Sequence, residues 1–280
     1  MATKTIVVSL NDTENLDHLL PTCAALAARH EAHVIGVYII PSVEVYATFG
    51  GIAMAEVIDA QRKNFLSMAR KVKEKFDRSM KLNSLSAEWR QLDALGSSIS
   101  NEFIRQSRIA DLAVVAQVNP DIYNGVEAGF AESIVMDSGR PVLIVPRGKT
   151  FDAIGDKVVI GWNGSKEAAR ACFAALPLVS ANSDVTLVWV DPQKQPSEAG
   201  NLPGSELATS LARHGVKVNT EPMPTASSDA GIALLTRVGD FGADLLVMGA
   251  YGHSRMREFV FGGATEHILN KMTVPVLMSH

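Results

Sequence analysis

Four spaced glycines near the C-terminal end of the chain are the clearest chemical signal in the sequence. Gly249 and Gly252 follow a strand-like apolar run, and after nine intervening residues Gly262 and Gly263 open a segment with a helical pattern. A backbone that wraps closely around an anion needs residues without a Cβ atom at its tight turns, and the amides at a helix start complete a phosphate cradle. The spacing therefore predicts an anion site whose ligand is a phosphate group.

Neighbouring residues of the same segment could add to this site. Arg255 lies between the two glycine pairs, within reach of phosphate oxygens, and His253 directly follows Gly252. Ala264 and Thr265 fall in the first turn of the expected helix. Arginines and histidines on loops are more often solvated than functional, and the chain has none of the common nucleophile, zinc or Walker-type motifs. No catalytic residue and no metal ligand is therefore assigned.

The chain contains an internal repeat. Thr5–Asn11 aligns with Lys157–Asn163 at an offset of 152 residues, and two later segments, Ala110–Val115 and Pro141–Val145, align with runs 133 and 134 residues further on. The fall of the offset from 152 to 133 predicts an insertion of 19 residues in the first half, between residues 41 and 60 and in the helix that follows. The two halves are therefore expected to share one fold.

Short apolar runs alternate with helical patterns in both halves, which is typical of βα units around a parallel sheet. The strands are predicted near residues 5–10, 33–40, 86–92, 111–116 and 141–145, and near 157–162, 184–190, 216–220, 244–248 and 275–279. The longest predicted helix spans about 53–81, and its apolar stripe is interpreted as core. The sequence predicts an α/β fold with two tandem doubly wound five-stranded parallel-sheet domains over residues 1–148 and 155–280. In such sheets ligands bind at the carboxyl ends of the strands, where the strand order reverses.

The glycine spacing between a strand and a helix, together with the repeat, resembles the universal stress proteins across essentially the whole chain. The resemblance implies an adenine-nucleotide alpha hydrolase-like fold and ATP, with or without Mg²⁺, as the ligand. It implies phosphate contacts from Gly249, Gly252, Gly262, Gly263 and Thr265, and base and ribose contacts from Asn163 and Val190. The family often has Asp where this chain has Asn163, and usually Ser or Thr where it has Gly263. Thr265 is a candidate to replace the missing hydroxyl.

The first half lacks this glycine pattern. Ala116, Asn119 and Ala128 stand at the positions of the first three loop glycines, and Gly129 alone matches. Residues 117–121 add a proline and an acid where a phosphate would lie, and a carboxylate opposes an anion. The first half is therefore expected to keep the fold without binding a nucleotide.

Composition and charge exclude several classes of protein. The 26 Lys and Arg against 30 Asp and Glu give a net charge of −4, which argues against a nucleic-acid binder. No apolar run approaches the roughly 18 residues of a membrane span, and the start of the chain has no signal-peptide pattern, so a cytoplasmic protein without a membrane partner is expected. Cys23 and Cys172 are interpreted as small buried hydrophobes, and Trp162 and Trp189 as core.

Three functions fit these observations. The leading hypothesis is a stress-response regulatory protein, in which ATP or another adenine nucleotide bound by the second half biases contacts with an unidentified protein partner. The alternatives are a slow ATP hydrolase, with Arg255, His253 and Asp191 as weak candidates, and an interaction scaffold that binds no nucleotide. The matching final runs Pro141–Val145 and Pro275–Ser279 predict that the two halves meet as an internal pseudo-dimer, with a homodimer of whole chains as a further option.

Overall fold

The computed structural model describes residues 2–42, 51–118, 126–190, 204–223, 230–250 and 263–280. Five strands lie in the first half: β1 Thr5–Ser9, β2 His33–Ile40, β3 Ala87–Asp93, β4 Leu112–Ala116 and β5 Val142–Val145. Five lie in the second half: β6 Lys157–Trp162, β7 Asp184–Val190, β8 Val218–Met223, β9 Leu245–Gly249 and β10 Val276–Ser279. The helices are α1 Leu16–His30, α2 Gly51–Leu82, α3 Ile99–Ser107, α4 Phe130–Asp137, α5 Lys166–Ala175, α6 Ser205–Ala212, α7 Ala230–Phe241 and α8 Gly263–Lys271.

All ten strands form one sheet in the order β3-β2-β1-β4-β5-β10-β9-β6-β7-β8. Neighbouring strands are parallel within each half, and the two halves meet where β5 and β10 pair antiparallel, with Val276 opposite Ile144 and Met278 opposite Val142. Each predicted strand is present to within three residues at either end. The predicted doubly wound α/β fold is confirmed, and the final strands pair with each other as the sequence analysis expects.

The central strands are buried on both faces, because helices cover both sides of a parallel sheet. Val7 and Val8 of β1 and Leu246 and Val247 of β9 are fully buried. The interpretation of the whole α2 stripe as core is wrong. The residues Ala69, Val72 and Phe76 of the stripe are buried. In contrast, 48%, 36% and 38% of the surface is exposed at Val57, Ile58 and Met68.

A pair of repeated aspartates fixes the start of the central strand in each half. Asp111 accepts the backbone N–H groups of Lys4 and Thr5, both at 2.9 Å, at the start of β1. Asp244, its match in the repeat, accepts the N–H groups of Gly155, Asp156 and Lys157 at 2.6–3.2 Å at the start of β6. The two aspartates satisfy amides that have no strand partner.

The segment between the two halves packs on α1. The Phe151 N–H donates to Thr22 Oγ1 at 3.0 Å, and Arg29 donates to the Ile154 carbonyl at 2.7 Å and lies 3.2 Å from the Asp156 carboxylate. Ile154 is 3% exposed. This segment therefore holds the first helix of the chain against the start of β6. Among the described residues, no helix is long and apolar enough to cross a lipid bilayer.

Candidate functional site

The carboxyl ends of three adjacent strands in the second half form the candidate site. Asn163 directly follows β6, Val190 ends β7 and Gly249 ends β9, and the three strands are neighbours in the order β9-β6-β7. The strand order reverses between β6 and β9, because β7 and β8 lie on one side and β10 on the other. This reversal point is where open α/β sheets bind ligands.

Gly249 packs against the first turn of α5. A Cβ atom at position 249 would lie 2.3 Å from the nitrogen of Ala168 and 2.5 Å from the carbonyl carbon of Glu167. Only residues 163–165 connect β6 to α5, whereas residues 10–15 connect β1 to α1. The short connection draws α5 onto the end of β9, so this glycine of the loop pattern is required by helix packing as well as by any ligand.

Asn163 and Ser165 build the turn that starts α5. The side-chain oxygen of Asn163 accepts the Ser165 N–H at 3.1 Å, and the Ser165 hydroxyl accepts the Ala168 N–H at 3.1 Å as the N-cap of the helix. These bonds are the local reason why the sequence Asn-Gly-Ser ends the strand and begins a helix. They also fix the orientation of the half-buried Asn163 side chain at the sheet edge.

The first turn of α8 stands at the same end of the second half. Gly263 is exposed and Ala264 is half-buried at the helix start. Gly231 of α7 lets the two helices approach closely there, because a Cβ atom at 231 would lie 2.8 Å from the Ala264 carbonyl oxygen. Thr265 is only 3% exposed and lies on the core side. Its hydroxyl is therefore badly placed to replace the serine or threonine of the family pattern, and the backbone N–H is the group it can offer.

Four predicted residues, Gly252, His253, Arg255 and Gly262, lie in the segment 251–262, outside the described residues. Sequence reasoning missed Trp189, whose indole nitrogen at the end of β7 is buried without a hydrogen-bond acceptor among the described residues. Trp162, the last residue of β6, is directly opposite Trp189 in the pairing of β6 with β7. The pairing of two tryptophans at matching strand ends was the available signal.

The matching positions of the first half bind each other. Asn11 corresponds to Asn163 in the repeat, and Ile39 is opposite it on β2. The Asn11 amide donates to the Ile39 carbonyl at 2.6 Å and accepts the Ile39 N–H at 3.0 Å, and the asparagine is 5% exposed. The polar groups that would recognise a base and ribose are thus used within the protein.

In the first half, the residues before α4 bind the start of α3. The carboxylate of Glu127 accepts the Ile99 N–H at 2.9 Å and the Ser100 hydroxyl at 2.5 Å at the start of α3. Phe130 corresponds to Ala264 in the repeat. Its ring packs on the ring of Phe103 with 5.9 Å between the ring centroids, and both residues are in the core. The first half therefore has an acid and a core aromatic residue next to the start of α4, where the second half has Gly263 and Ala264 at the start of α8.

The two cysteines are buried, as the sequence analysis expects. Burial raises the pKa of the Cys23 and Cys172 thiols to about 12. Both thiols stay protonated at neutral pH, so neither acts as a nucleophile.

The comparison with known proteins agrees with this geometry. Residues 155–280 match the family model described as the universal stress protein family. A universal stress protein of Synechocystis sp. is 32% identical over 148 residues, 52% of this chain and 49% of that protein. The second half of the chain, residues 155–280, therefore matches the universal stress protein family. The matched region spans about half the length of this curated relative.

Solved structures share the fold over the whole chain. A universal stress protein from Archaeoglobus fulgidus DSM 4304 superposes with a TM-score of 0.70 at 16% identity and covers 100% of this chain and 99% of its own. A functionally unknown protein from Pseudomonas aeruginosa PAO1 gives 0.60 at 14% identity, with 99% and 92% covered. At these identities the likeness concerns the universal stress protein fold alone.

Proposed function

We propose that the second half binds an adenine nucleotide, with ATP as the leading candidate, and that the first half binds none. One observation carries the proposal. Asn163, Val190, Gly249 and the start of α8 lie at the carboxyl end of one half, at its strand-order reversal, and the first half has Ala116, Asn119 and Ala128 in place of three of the four loop glycines. The family membership of residues 155–280 supports the choice of ligand.

The groups of the candidate site divide into those that would contact the phosphates and those that would contact the ribose and base. The backbone amides of Gly263 and Ala264 donate to phosphate oxygens, because a helix start carries unpaired N–H groups and the positive end of the helix dipole. The amide of Asn163 and the backbone of Val190 contact ribose and base. Gly252, Gly262, His253 and Arg255 would complete the phosphate loop. Mg²⁺, if bound, would neutralise part of the phosphate charge.

The proposed role is regulatory, within the stress response that the family name implies. Helix α8 begins at the candidate site and ends at the first half, where Gln117 donates to the Leu269 carbonyl at 2.7 Å. The strand that follows α8 pairs with β5. A phosphate bound at the start of α8 is thereby linked through one helix to the contact between the halves, which we propose as two domains over 1–148 and 155–280.

The binding stoichiometry tests the proposal. The purified protein is denatured and the released small molecules are analysed, and ATP is then titrated into nucleotide-free protein. We expect saturation at about one nucleotide per chain. Two equivalent sites would contradict the asymmetry, and no binding of any adenine nucleotide would contradict the function and leave the scaffold hypothesis.

A matched pair of variants locates the site. Asn163→Ala is expected to weaken ATP binding by tenfold or more, whereas Asn11→Ala at the repeat position leaves the affinity and the stoichiometry unchanged. Equal effects would place the nucleotide elsewhere. Recovery of ADP with steady release of phosphate would favour the slow hydrolase over the regulatory protein.

A further inference from the structure

Asn163 is followed by a glycine, which has no side chain to shield its backbone nitrogen. Asn163, Gly164 and Ser165 connect β6 to α5, and in this connection Asn163 is half-buried and Gly164 is exposed. Gly164 has a φ of 74°, a left-handed conformation that favours glycine. Asparagine is thermolabile, because the next backbone nitrogen can attack its side-chain amide carbon. Gly164 offers that nitrogen without steric protection.

The hydrogen bond that orients the Asn163 side chain also activates it. The side-chain oxygen accepts the Ser165 N–H at 3.1 Å, directly before the first turn of α5. When a nitrogen attacks the side-chain carbon, negative charge develops on this oxygen. A backbone N–H at the positive end of a helix stabilises that charge, as the donors of an oxyanion hole do. The turn therefore favours the tetrahedral intermediate of the attack.

The repeat partner of Asn163 is protected from this reaction. Asn11 is followed by Asp12 and is 5% exposed. Its side-chain nitrogen donates to the Ile39 carbonyl at 2.6 Å, and its side-chain oxygen accepts the Ile39 N–H at 3.0 Å. A rotation that turns its side-chain carbon toward the next nitrogen breaks two buried hydrogen bonds. The same asparagine of the repeat therefore differs in reactivity between the two halves.

We propose that Asn163 is a site of spontaneous deamidation in the folded protein. The Gly164 nitrogen, after losing its proton to solvent base, bonds to the Asn163 side-chain carbon. The side-chain nitrogen takes up a proton from water and leaves as ammonia. Water then opens the five-membered imide on either side, which gives aspartate or isoaspartate at position 163. The overall reaction is a hydrolysis, so water is the only co-reactant.

The product changes the carboxyl edge of the second half in two ways. A carboxylate adds a negative charge and only accepts hydrogen bonds, whereas the asparagine amide also donates them. Isoaspartate in addition routes the main chain through the side-chain carbon, which lengthens the short connection between β6 and α5 by one carbon atom. The modification is a property of the chain itself and does not depend on nucleotide binding.

Peptide mass spectrometry of the incubated protein tests the proposal. The full-length protein is kept in heavy-oxygen water at neutral and at mildly alkaline pH and is then digested, and each asparagine peptide is followed by the mass gain that marks replacement of NH₂ by labelled OH. Asn163 is expected to convert at least tenfold faster than Asn11 and than Asn101, an exposed asparagine followed by Glu102. The rate should rise with pH, because the attacking nitrogen must lose its proton. Conversion no faster than at the two reference asparagines would overturn the proposal.

The unfolded chain shows whether the fold permits the reaction. In guanidinium chloride the turn is mobile but the Ser165 N–H no longer donates to Asn163, so the native rate is expected to stay within tenfold of the unfolded rate. A native rate more than tenfold lower would show that the fold protects Asn163 and would overturn the proposal.

Asn163→Gln is the matched variant, since its longer side chain would have to close a six-membered ring. Conversion of this peptide should fall at least tenfold, and an unchanged rate would place the reaction at another residue. The other Asn-Gly pair of the sequence, Asn124-Gly125, lies outside the described residues, and its peptide is followed separately.

Discussion

Replacing Gly249 by alanine tests whether this glycine is held by packing or by a ligand. The added Cβ atom would lie 2.3 Å from the Ala168 nitrogen and 2.5 Å from the Glu167 carbonyl carbon. Ordinary van der Waals contact is about 3.5 Å, so the first turn of α5 and the end of β9 must separate by about 1 Å. Both neighbours are backbone atoms, which have no alternative rotamer.

The cost of this shift is that of overpacking a core, about 1–3 kcal/mol. The displaced turn includes the bonds from Ser165 to Asn163 and from Ala168 to Ser165, both at 3.1 Å, which argues against the lower end of that range. We expect Gly249→Ala to lower the free energy of unfolding of the nucleotide-free protein by about 2 kcal/mol. The measurement is urea denaturation followed by circular dichroism.

Gly239 provides the matched control. It is exposed inside α7, and a Cβ atom there meets nothing within 4 Å. Gly239→Ala is therefore expected to raise the free energy of unfolding by about 0.5–1 kcal/mol, because alanine restricts the unfolded chain. The two glycine-to-alanine changes should thus have opposite signs. A Gly249→Ala protein as stable as wild type that fails to bind ATP would refute the packing argument and assign the glycine to the ligand.

Two further predictions concern the first half. Asn11→Ala leaves the Ile39 N–H and carbonyl buried without their partner and should lower the free energy of unfolding by about 2–4 kcal/mol. An unchanged free energy of unfolding in the same denaturation assay would contradict the role of the buried pair. Burial, with the nearby Glu266 carboxylate, raises the pKa of Glu132 above 4.5. An acid whose pKa is higher in the folded state binds more protons there than in the unfolded state. The free energy of unfolding therefore falls as the pH rises from the unfolded pKa to the folded pKa. Glu132→Gln should therefore be more stable than wild type at pH 7 and equally stable below pH 4.5. Equal stability of the two proteins at pH 7, measured by denaturation, would contradict the burial of this carboxyl group.

The sequence alone determined the strands, the repeat and the placement of the candidate site. Apolar runs of strand length and helical periodicities are local properties, so they predicted ten strands to within three residues. The glycine spacing after β9 indicated which half carries the candidate loop. The resemblance to the universal stress proteins named Asn163 and Val190, and the strand order sets them beside Gly249 at the carboxyl ends of three neighbouring strands.

Only the tertiary structure decided what these residues contact. The neighbour of Gly249 is α5, about 80 residues earlier, and the partner of Asn11 is Ile39, on another strand. Such pairs depend on how long the loops are and how closely the elements approach, and neither quantity is encoded in local periodicity. Thr265 shows the same limit, because its position at a helix start is visible in the sequence but its burial depends on the angle of α8 against the sheet.

The α2 stripe shows most plainly where a pattern stops being sufficient. The same spacing of apolar residues runs through Ile58 and Phe76, and it predicts one continuous core face. Phe76 is buried because β2 and β3 lie beneath it, whereas Ile58 lies beyond the end of the sheet. Hydrophobic periodicity fixes which side of a helix is apolar, and the length of the sheet fixes how much of that side finds a partner.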